Sequence, residues 1–208
     1  MTRTEYLQKW SQLHGFQENS EVAGIARAYL SINYYLAQPA VFLRFAPNLV
    51  TLIAPLFALG AIYSEQNLLT AFLVLASLIT DGLDGAVAII RGKTSRIGSV
   101  WDGVIDRITE LLWIGALYHA GISPSLLLAI WALVATQEYG RAKFNHVAGK
   151  TLGVVTVCER PVRGLLVAFG FLGEIFLSQS LEVVSLVWLI LQGIAIAQFI
   201  VMTRRQLR

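Results

Sequence analysis

"DGLDGAVAIIRGKTSRIGSVWDGVID", residues 81–106, places four aspartates in what look like two buried helices of a strongly apolar chain. The chain has 208 residues, of which 56% are hydrophobic and only 14% are charged, and its mean hydropathy is +0.63. Several apolar stretches approach the roughly 20 residues that a helix needs to cross a bilayer. We therefore expect an integral membrane protein, not a water-soluble domain, with buried carboxylates that need a reason: Asp81, Asp84, Asp102 and Asp106.

Hydropathy predicts an all-α membrane fold with six transmembrane helices. The expected spans are 46–64, 68–90, 98–119, 123–140, 161–178 and 181–203. Lysine and arginine gather before the first span, after the second and fourth spans, and in the C-terminal tail, whereas the other three links contain neither. By the positive-inside rule, both termini and the basic links are predicted to be cytoplasmic.

The N-terminal segment predicts a different kind of helix. In residues 20–38 apolar side chains recur at helical spacing, which is typical of an amphipathic helix lying in the membrane interface. A soluble helix packed on the loops is the alternative. The expected organisation is a cytoplasmic segment with this helix at 1–45, a transmembrane domain at 46–203 and a basic tail at 204–208.

The spacing of the four aspartates predicts that they meet. Residues three or four positions apart share one face of a helix, and both aspartate pairs lie close to the short link between two antiparallel spans. At about 1.5 Å per residue, the pairs have matching depths. Small residues lie on the same faces as the aspartates. The shared face of the second span has Asp81, Asp84, Gly85 and Ala88, and that of the third has Gly98, Asp102 and Asp106.

Buried carboxylates in a membrane span require a compensating charge. Each costs about 2.5–3.5 kcal/mol on insertion scales, and neighbouring carboxylates also repel one another. Oxygen-only ligands select hard cations, Mg²⁺ first, with Mn²⁺ or Ca²⁺ as alternatives. Because Mg²⁺ in proteins often works with substrate phosphates, the pattern favours a metal-dependent site for a phosphorylated ligand.

The motif Asp81-x-x-Asp84-Gly85-x-x-Ala88, followed after nine residues by Gly98-x-x-x-Asp102-x-x-x-Asp106, resembles the signature of the CDP-alcohol phosphatidyltransferases. The resemblance covers essentially the whole chain, including the "PNLVT" opening of the first span at 47–51. Members of this family transfer a phosphatidyl group from a CDP-linked lipid to an alcohol and release CMP.

The resemblance implies a role for each matching residue. Asp81, Asp84 and Asp102 would hold Mg²⁺ or Mn²⁺, expected as two ions, and Asp106 would be the base for the acceptor hydroxyl and a further metal ligand. The residues expected to bind the CDP-diacylglycerol donor are Asp81, Gly85, Ala88, Gly98 and Asn48. The resemblance also implies a homodimer in the inner membrane of a bacterium, a cytoplasmic active site and no nucleic-acid partner.

One position departs from the signature. Arginine usually follows the signature alanine, but this chain has Ile89 there. Arg91 comes two residues later, about 200° around the helix, so it cannot simply take that place. A divergent subgroup or weakened activity is the alternative that this departure raises.

Residues 139–163 are dense in cations and resemble a region of actinobacterial inositol-phosphate transferases of the family. Arg141, Arg160 and Arg163 are therefore candidates for binding an acceptor phosphate, for which the guanidinium fork is suited. Ordinary positive-inside anchoring is the alternative. The pair Gln198-Phe199 departs from the Gln-Arg of those enzymes. Glycerol 3-phosphate or an inositol phosphate is favoured as acceptor, and an unphosphorylated alcohol stays open.

Two other classes use carboxylates inside membranes. An intramembrane prenyltransferase also combines acidic helices with Mg²⁺, but its two acidic motifs lie far apart in the chain. A cation transporter would need a path across the membrane, whereas these acidic groups lie in the cytoplasmic half. Metal-dependent release of CMP would distinguish the phosphatidyltransferase from both.

Overall fold

The computed structural model describes residues 1–13, 24–149 and 155–207, and every regular element in those ranges is an α-helix. An all-α architecture was predicted and is confirmed for the described residues. In chain order the helices are α1 (Arg3–Leu13), α2 (Gly24–Phe42), α3 (Pro47–Thr51), α4 (Ile53–Tyr63), α5 (Asn67–Ile90), α6 (Arg96–His119), α7 (Pro124–Ala148), α8 (Arg160–Glu174) and α9 (Ser180–Gln206).

The helices follow the six apolar stretches closely, with three differences. The first stretch contains two helices, α3 and α4, which are separated at Leu52. Helix α7 continues to Ala148, past the predicted end at residue 140, and α8 stops at Glu174. The helix predicted at 20–38 corresponds to α2 from Gly24 onward, and residues 20–23 lie outside the described part of the chain.

Helix α1 was not predicted. It packs on α2, where the Tyr34 hydroxyl donates a hydrogen bond to the carbonyl of Met1 at 2.9 Å and the Tyr6 and Tyr34 rings lie 5.7 Å apart. Tyr6 is fully buried although α1 as a whole is polar. The aromatic anchor therefore ties the first residues of the chain to the fold.

The first of two compact units comprises residues 1–56 and 76–108. Its core combines side chains of α1, α2, α3 and the second half of α5, and it includes the following buried residues: Tyr6, Leu30, Val50, Val87 and Ile89. This unit contains all four aspartates of the motif.

The second unit comprises residues 57–75 and 109–208. Here α9 packs against both α7 and α8. A Cβ added at Gly170 would lie 3.2 Å from the Leu181 side chain and 3.4 Å from Val184, which shows how closely α8 approaches α9. Small residues at such contacts are typical of helices packed within a membrane.

Two of the described helices, α5 and α9, are long and apolar enough by composition to cross a membrane. Residues 30–42 and 47–63 would form a third span if they are taken as one helix pair bent by 114°. Helix α6 instead carries Asp102, Asp106, Arg107 and Glu110, and α8 has only 15 residues. Helix α7 carries Glu138, Arg141 and Lys143. Charged residues in α6 and α7 and the short length of α8 therefore set these three helices apart from α5 and α9.

Candidate active site

Three of the four motif aspartates are brought together. Asp81 on α5 and Asp102 and Asp106 on α6 each offer a carboxylate oxygen, and these oxygens lie within 4.8 Å of one another. The two α6 residues are one helical turn apart, so their side chains follow the same face. Arg107 reaches to 4.0 Å from the Asp106 carboxylate. The meeting of carboxylates from two helices, predicted from spacing, is thus observed for this trio.

Asp84 is not part of this trio and is hydrogen-bonded to α3. Its carboxylate accepts a hydrogen bond from the hydroxyl of Thr51 on α3, and only 7% of the residue is exposed. Thr51 itself is buried. Asp84 and Asp102 both line the same two cavities. The fourth aspartate therefore belongs to the site, but its orientation is set by a hydroxyl on another helix.

The larger cavity has a volume of about 480 Å³ and lies next to Asp84 and Asp102. It is bounded by α3, the end of α5, the turn at 91–95 and the start of α6, and it contains the predicted donor-binding residues Asn48, Gly85, Ala88 and Gly98. A Cβ added at Gly85 would meet nothing within 4 Å, whereas one added at Gly98 would lie 2.9 Å from the Ser95 hydroxyl. The backbone is therefore open to a ligand at Gly85 on α5, whereas at Gly98 on α6 it lies close to the Ser95 side chain.

A second cavity of about 290 Å³ adjoins the same carboxylates. It is lined by Asp81, Asp84 and Asp102 and by residues of the two N-terminal helices, among them Tyr6, Trp10 and Asn33. The aspartates thus have space beside them in two places. The contribution of α1 was missed in the sequence, where its polar composition gave no sign that it reaches the site.

The donor set fits a divalent cation. The ligands available in the trio are carboxylate oxygens, which suit hard ions such as Mg²⁺ and Mn²⁺ and not soft ones. The oxygens converge closely enough for one ion to be shared among them. Asp84 adds a fourth carboxylate at the edge of the larger cavity, where a ligand phosphate would have room.

The cationic segment of the second unit contains a buried ion-pair network. The Arg163 side chain is fully buried, and its guanidinium lies 2.9 Å from Glu110 of α6 and 2.9 Å from Glu138 of α7. The guanidinium also donates to the carbonyl of Cys158 at 2.9 Å. This arginine therefore joins three helices and the turn before α8.

Arg141 is bound to the same turn through Glu159, at 2.7 Å. The Glu159 carboxylate also accepts hydrogen bonds from the backbone N–H and the hydroxyl of Thr156. Burial works to raise the pKa of the Glu159 carboxyl, but these donors outweigh it and hold that pKa below its ordinary value. A buried amide, Gln137, donates to the Thr156 hydroxyl at 3.0 Å. The turn 156–160 is thus fixed by polar contacts with α7.

Arg160 begins α8 and is 8% exposed, with its guanidinium 5.5 Å from the centre of the Trp113 ring. Next to it, burial raises the pKa of the Cys158 thiol, which keeps this thiol protonated at neutral pH. All three arginines singled out in the sequence therefore belong to one region of the second unit. The glutamate partners of Arg141 and Arg163 were not identified from sequence.

Several relatives are similar to this chain. The sequence profile of the family described as CDP-alcohol phosphatidyltransferase matches residues 44–203, more than half of the chain. An archaetidylinositol phosphate synthase of Aeropyrum pernix is 34% identical over 111 residues, which is 52% of this chain and 55% of that protein. A phosphatidylinositol phosphate synthase of Mycolicibacterium smegmatis is 30% identical over 157 residues, 69% of this chain and 68% of that protein.

The fold also has a close counterpart. The crystal structure of the Mycobacterium tuberculosis phosphatidylinositol phosphate synthase with CDP-DAG bound matches with a TM-score of 0.69 at 21% identity, covering 83% of this chain and 93% of that one. The same enzyme in complex with manganese and citrate gives a TM-score of 0.69. The sequence profile, together with the spacing of the aspartates, places this chain in the CDP-alcohol phosphatidyltransferase family.

Proposed function

We propose that this protein transfers a phosphatidyl group from CDP-diacylglycerol to the hydroxyl of a polyol phosphate and releases CMP. The observation that carries the proposal is the convergence of Asp81, Asp102 and Asp106 beside a cavity lined by the small residues of the family motif. An inositol phosphate is the favoured acceptor, since two relatives that align with this chain are named archaetidylinositol phosphate synthase and phosphatidylinositol phosphate synthase. Glycerol 3-phosphate is the other phosphorylated candidate.

Asp81, Asp84 and Asp102 would hold the metal, with Asp106 as a further ligand. Bound Mg²⁺ or Mn²⁺, proposed as two ions, would neutralise the diphosphate and stabilise the charge on the entering and leaving oxygens. Asp84 accepts a hydrogen bond from the Thr51 hydroxyl at one oxygen and from the Gly85 backbone N–H at the other, and these two bonds would fix its carboxylate at the edge of the larger cavity. Asp106 would accept the proton of the acceptor hydroxyl as that oxygen attacks the lipid-bearing phosphorus and the bond to CMP breaks.

The larger cavity would hold the nucleotide of the donor. Gly85 and Ala88 leave room for a flat base against α5, and Asn48 supplies an amide for hydrogen bonding. At Gly98 an added Cβ would lie 2.9 Å from the Ser95 hydroxyl, which would have to turn away to make room for it. Asp81, which lines the second cavity, would approach the diphosphate from that cavity and not from the larger one.

The simplest test of the activity is CMP release from CDP-diacylglycerol in membranes that contain the overexpressed protein. Inositol phosphate, glycerol 3-phosphate, free inositol and serine are supplied in parallel, and the lipid product is identified by mass spectrometry. Release that depends on both a divalent cation and an alcohol supports the proposal. Absence of release with every acceptor would refute it.

We further propose that Arg141 and Arg160 bind the phosphate of the acceptor. Arg163 would have a structural role instead. Its guanidinium is fully buried between Glu110 and Glu138 and would fix the position of the start of α8. Replacing Arg160 or Arg141 by glutamine should raise the acceptor KM about 10- to 150-fold, as expected for a lost charge-assisted hydrogen bond, with the donor KM little changed.

Glu159→Gln is the matched control for Arg141. If Arg141 only anchors the turn, removing its partner should reproduce the effect of Arg141→Gln. If Arg141 binds a phosphate, the Glu159 variant should leave the acceptor KM much closer to that of the wild type. An unchanged acceptor KM in both arginine variants would remove the argument for a phosphorylated acceptor.

The proposed arrangement in the membrane has six spans, with both termini and the active site on the cytoplasmic side of a bacterial inner membrane. Support comes from the location of lysine and arginine in alternate links and from helices at all six apolar stretches. A homodimer is proposed on family resemblance.

Cysteine labelling tests the orientation directly. Cys158 is the only cysteine in the sequence and is buried, so it should contribute little background. A cysteine introduced at Ser95 should react with a membrane-impermeant maleimide only after the cytoplasmic face is exposed. One introduced at Gln66 should react in intact cells after the outer membrane, where present, is permeabilised. The reverse pattern would contradict the orientation.

A further inference from the structure

Helix α2 ends in a tight hydrogen-bonded motif with an unusual residue at its centre. The N–H of Phe45 donates to the carbonyl of Ala40 at 2.9 Å, and the N–H of Arg44 donates to the carbonyl of Val41 at 3.1 Å. These two bonds are the Schellman arrangement, in which the residue after the helix is left-handed and is usually glycine. Here it is Arg44, with φ 57°. A side chain at this φ is strained, so the turn needs support from elsewhere.

Helix α5 ends in the same way nearby. The N–H of Lys93 donates to the carbonyl of Ala88 at 2.8 Å, and the N–H of Gly92 donates to the carbonyl of Ile89 at 3.1 Å. Gly92 has φ 63° and takes the left-handed conformation without a Cβ. This second turn is therefore unstrained, and it directs the preceding residue, Arg91, toward the end of α2.

The Arg91 side chain connects the two helix ends. Its Nη1 donates to the carbonyl of Arg44 at 2.9 Å and also to the carbonyl of Phe45. Both acceptors lie just beyond the C-terminus of α2, where unsatisfied carbonyls give the helix end a partial negative charge. A guanidinium placed there supplies both the donors and the charge that this helix end requires.

The chain enters the donor cavity immediately after this turn. Residues 30–42 and 47–63 form helices bent by 114°, and the first residues past the bend include Asn48 and Thr51, which line the larger cavity. Thr51 donates the hydrogen bond that holds Asp84. The angle of the bend therefore decides where an amide and a metal-site hydroxyl are placed.

We infer that Arg91 is a positioning residue that clamps the turn between α2 and α3 and thereby fixes Asn48 and Thr51 at the nucleotide-binding cavity. This inference rests on the proposed function for its kinetic consequences. It also explains what Arg91 does in a chain whose signature position holds Ile89, which is packed in the core at 4% exposure. Arg91, two residues after Ile89, instead donates hydrogen bonds to the backbone carbonyls of Arg44 and Phe45.

Trypsin provides a test that does not depend on activity. Arg44 is exposed, so cleavage after it reports how often the turn opens. Arg91→Gln should accelerate formation of the fragment ending at Arg44 by about tenfold or more, since two hydrogen bonds from a charged donor are lost. Arg91→Lys should give an intermediate rate. Arg204→Gln, an exposed arginine at the end of α9, is the control and should leave the rate unchanged.

Nucleotide binding and kinetics test the consequence for the cavity. Arg91→Gln should weaken binding of CDP in the presence of Mg²⁺ by about tenfold and raise the donor KM similarly, with kcat at saturating donor within about twofold of the wild type and the acceptor KM unaltered. Adding Arg44→Gly, which allows the left-handed conformation without the strain of a Cβ, should restore part of the CDP affinity. If Arg91 only stabilised the fold, the substitution would lower the yield and the amount of active enzyme. The donor KM, the acceptor KM and kcat of the remaining active enzyme would then all stay close to the wild type.

The outcomes distinguish the inference from the proposed function. Unchanged cleavage at Arg44 together with unchanged CDP affinity in Arg91→Gln would overturn the clamp, whatever the enzyme's activity. Faster cleavage with unchanged CDP affinity would also overturn it, because the turn would then not position the cavity. A wild-type protein that binds CDP but never releases CMP would overturn the proposed reaction, and the clamp would still be decided by cleavage and binding.

Discussion

Replacing Asp106 by asparagine should lower kcat by about 10²- to 10⁴-fold, the usual effect of losing a general base. The substitution keeps the shape of the side chain but removes the oxygen that would take the acceptor's proton. Because Asp81, Asp84 and Asp102 remain, the donor KM should change little. The measurement is the steady-state rate of CMP release at saturating donor and acceptor.

The position of Asp106 within 4.8 Å of two other carboxylates makes a second outcome informative. If Asp106 acts chiefly as a metal ligand, a high Mg²⁺ concentration should restore most of the rate of the asparagine variant. If it acts as the base, the rate should stay low at every Mg²⁺ concentration. Glu182→Gln, which removes an exposed carboxylate at the start of α9, should behave as the wild type.

Removal of divalent cations should abolish turnover completely, and Mg²⁺ or Mn²⁺ should restore it. Without a cation the four carboxylates would repel a diphosphate, and nothing in the trio of aspartates could neutralise the transferred group. The assay is CMP release after treatment with EDTA, followed by titration with each metal. Full activity in EDTA would rule out the proposed mechanism.

Substitutions in the proposed metal site should differ in their effect on Mg²⁺ dependence. Loss of a ligand should have a larger effect than loss of a residue that only orients a ligand. Asp81→Asn and Asp102→Asn remove proposed ligands and should each raise the half-saturating Mg²⁺ concentration by more than the roughly 10- to 100-fold typical of losing an orienting partner. Thr51→Val removes only the hydroxyl that orients Asp84, and orienting partners of this kind typically contribute about 10- to 100-fold in affinity or activity. Wild-type metal dependence in both asparagine variants would show that the ligands were wrongly assigned.

The sequence predicted most helices and the meeting of aspartates because both depend on local periodicity. Apolar stretches of sufficient length produce helices, and a spacing of three or four residues places side chains on one face. Asp102 and Asp106 could therefore be assigned to one surface of α6 without coordinates. The short link between α5 and α6 then left little freedom in how their faces meet.

The contacts that the sequence did not reveal join residues far apart in the chain. Thr51 and Asp84 are 33 positions apart, and Glu110 and Arg163 are 53 apart. Nothing in the local pattern marks such partners, because a threonine or glutamate in an apolar helix can be satisfied in many ways. Helix α1 was missed for a related reason: it is anchored by a few side chains, Tyr6 and Leu7 foremost, that pack against the rest of the fold, whereas its average composition is polar.

The ion pairs of Arg163 have a consequence for biosynthesis. In the proposed six-span arrangement, α6 and α7 leave the ribosome and enter the bilayer before α8, so the ion pairs of Glu110 and Glu138 with Arg163 form only after α8 has been made. An ionised side chain at the centre of a span costs about 2.5–3.5 kcal/mol on insertion scales, and each ion pair lowers that cost. Nascent chains that end after α7 should consequently be retained by the insertion machinery or degraded by membrane proteases, whereas chains that extend through α8 become stable. Assembly of this half of the protein would then be a late, nearly all-or-none event in translation.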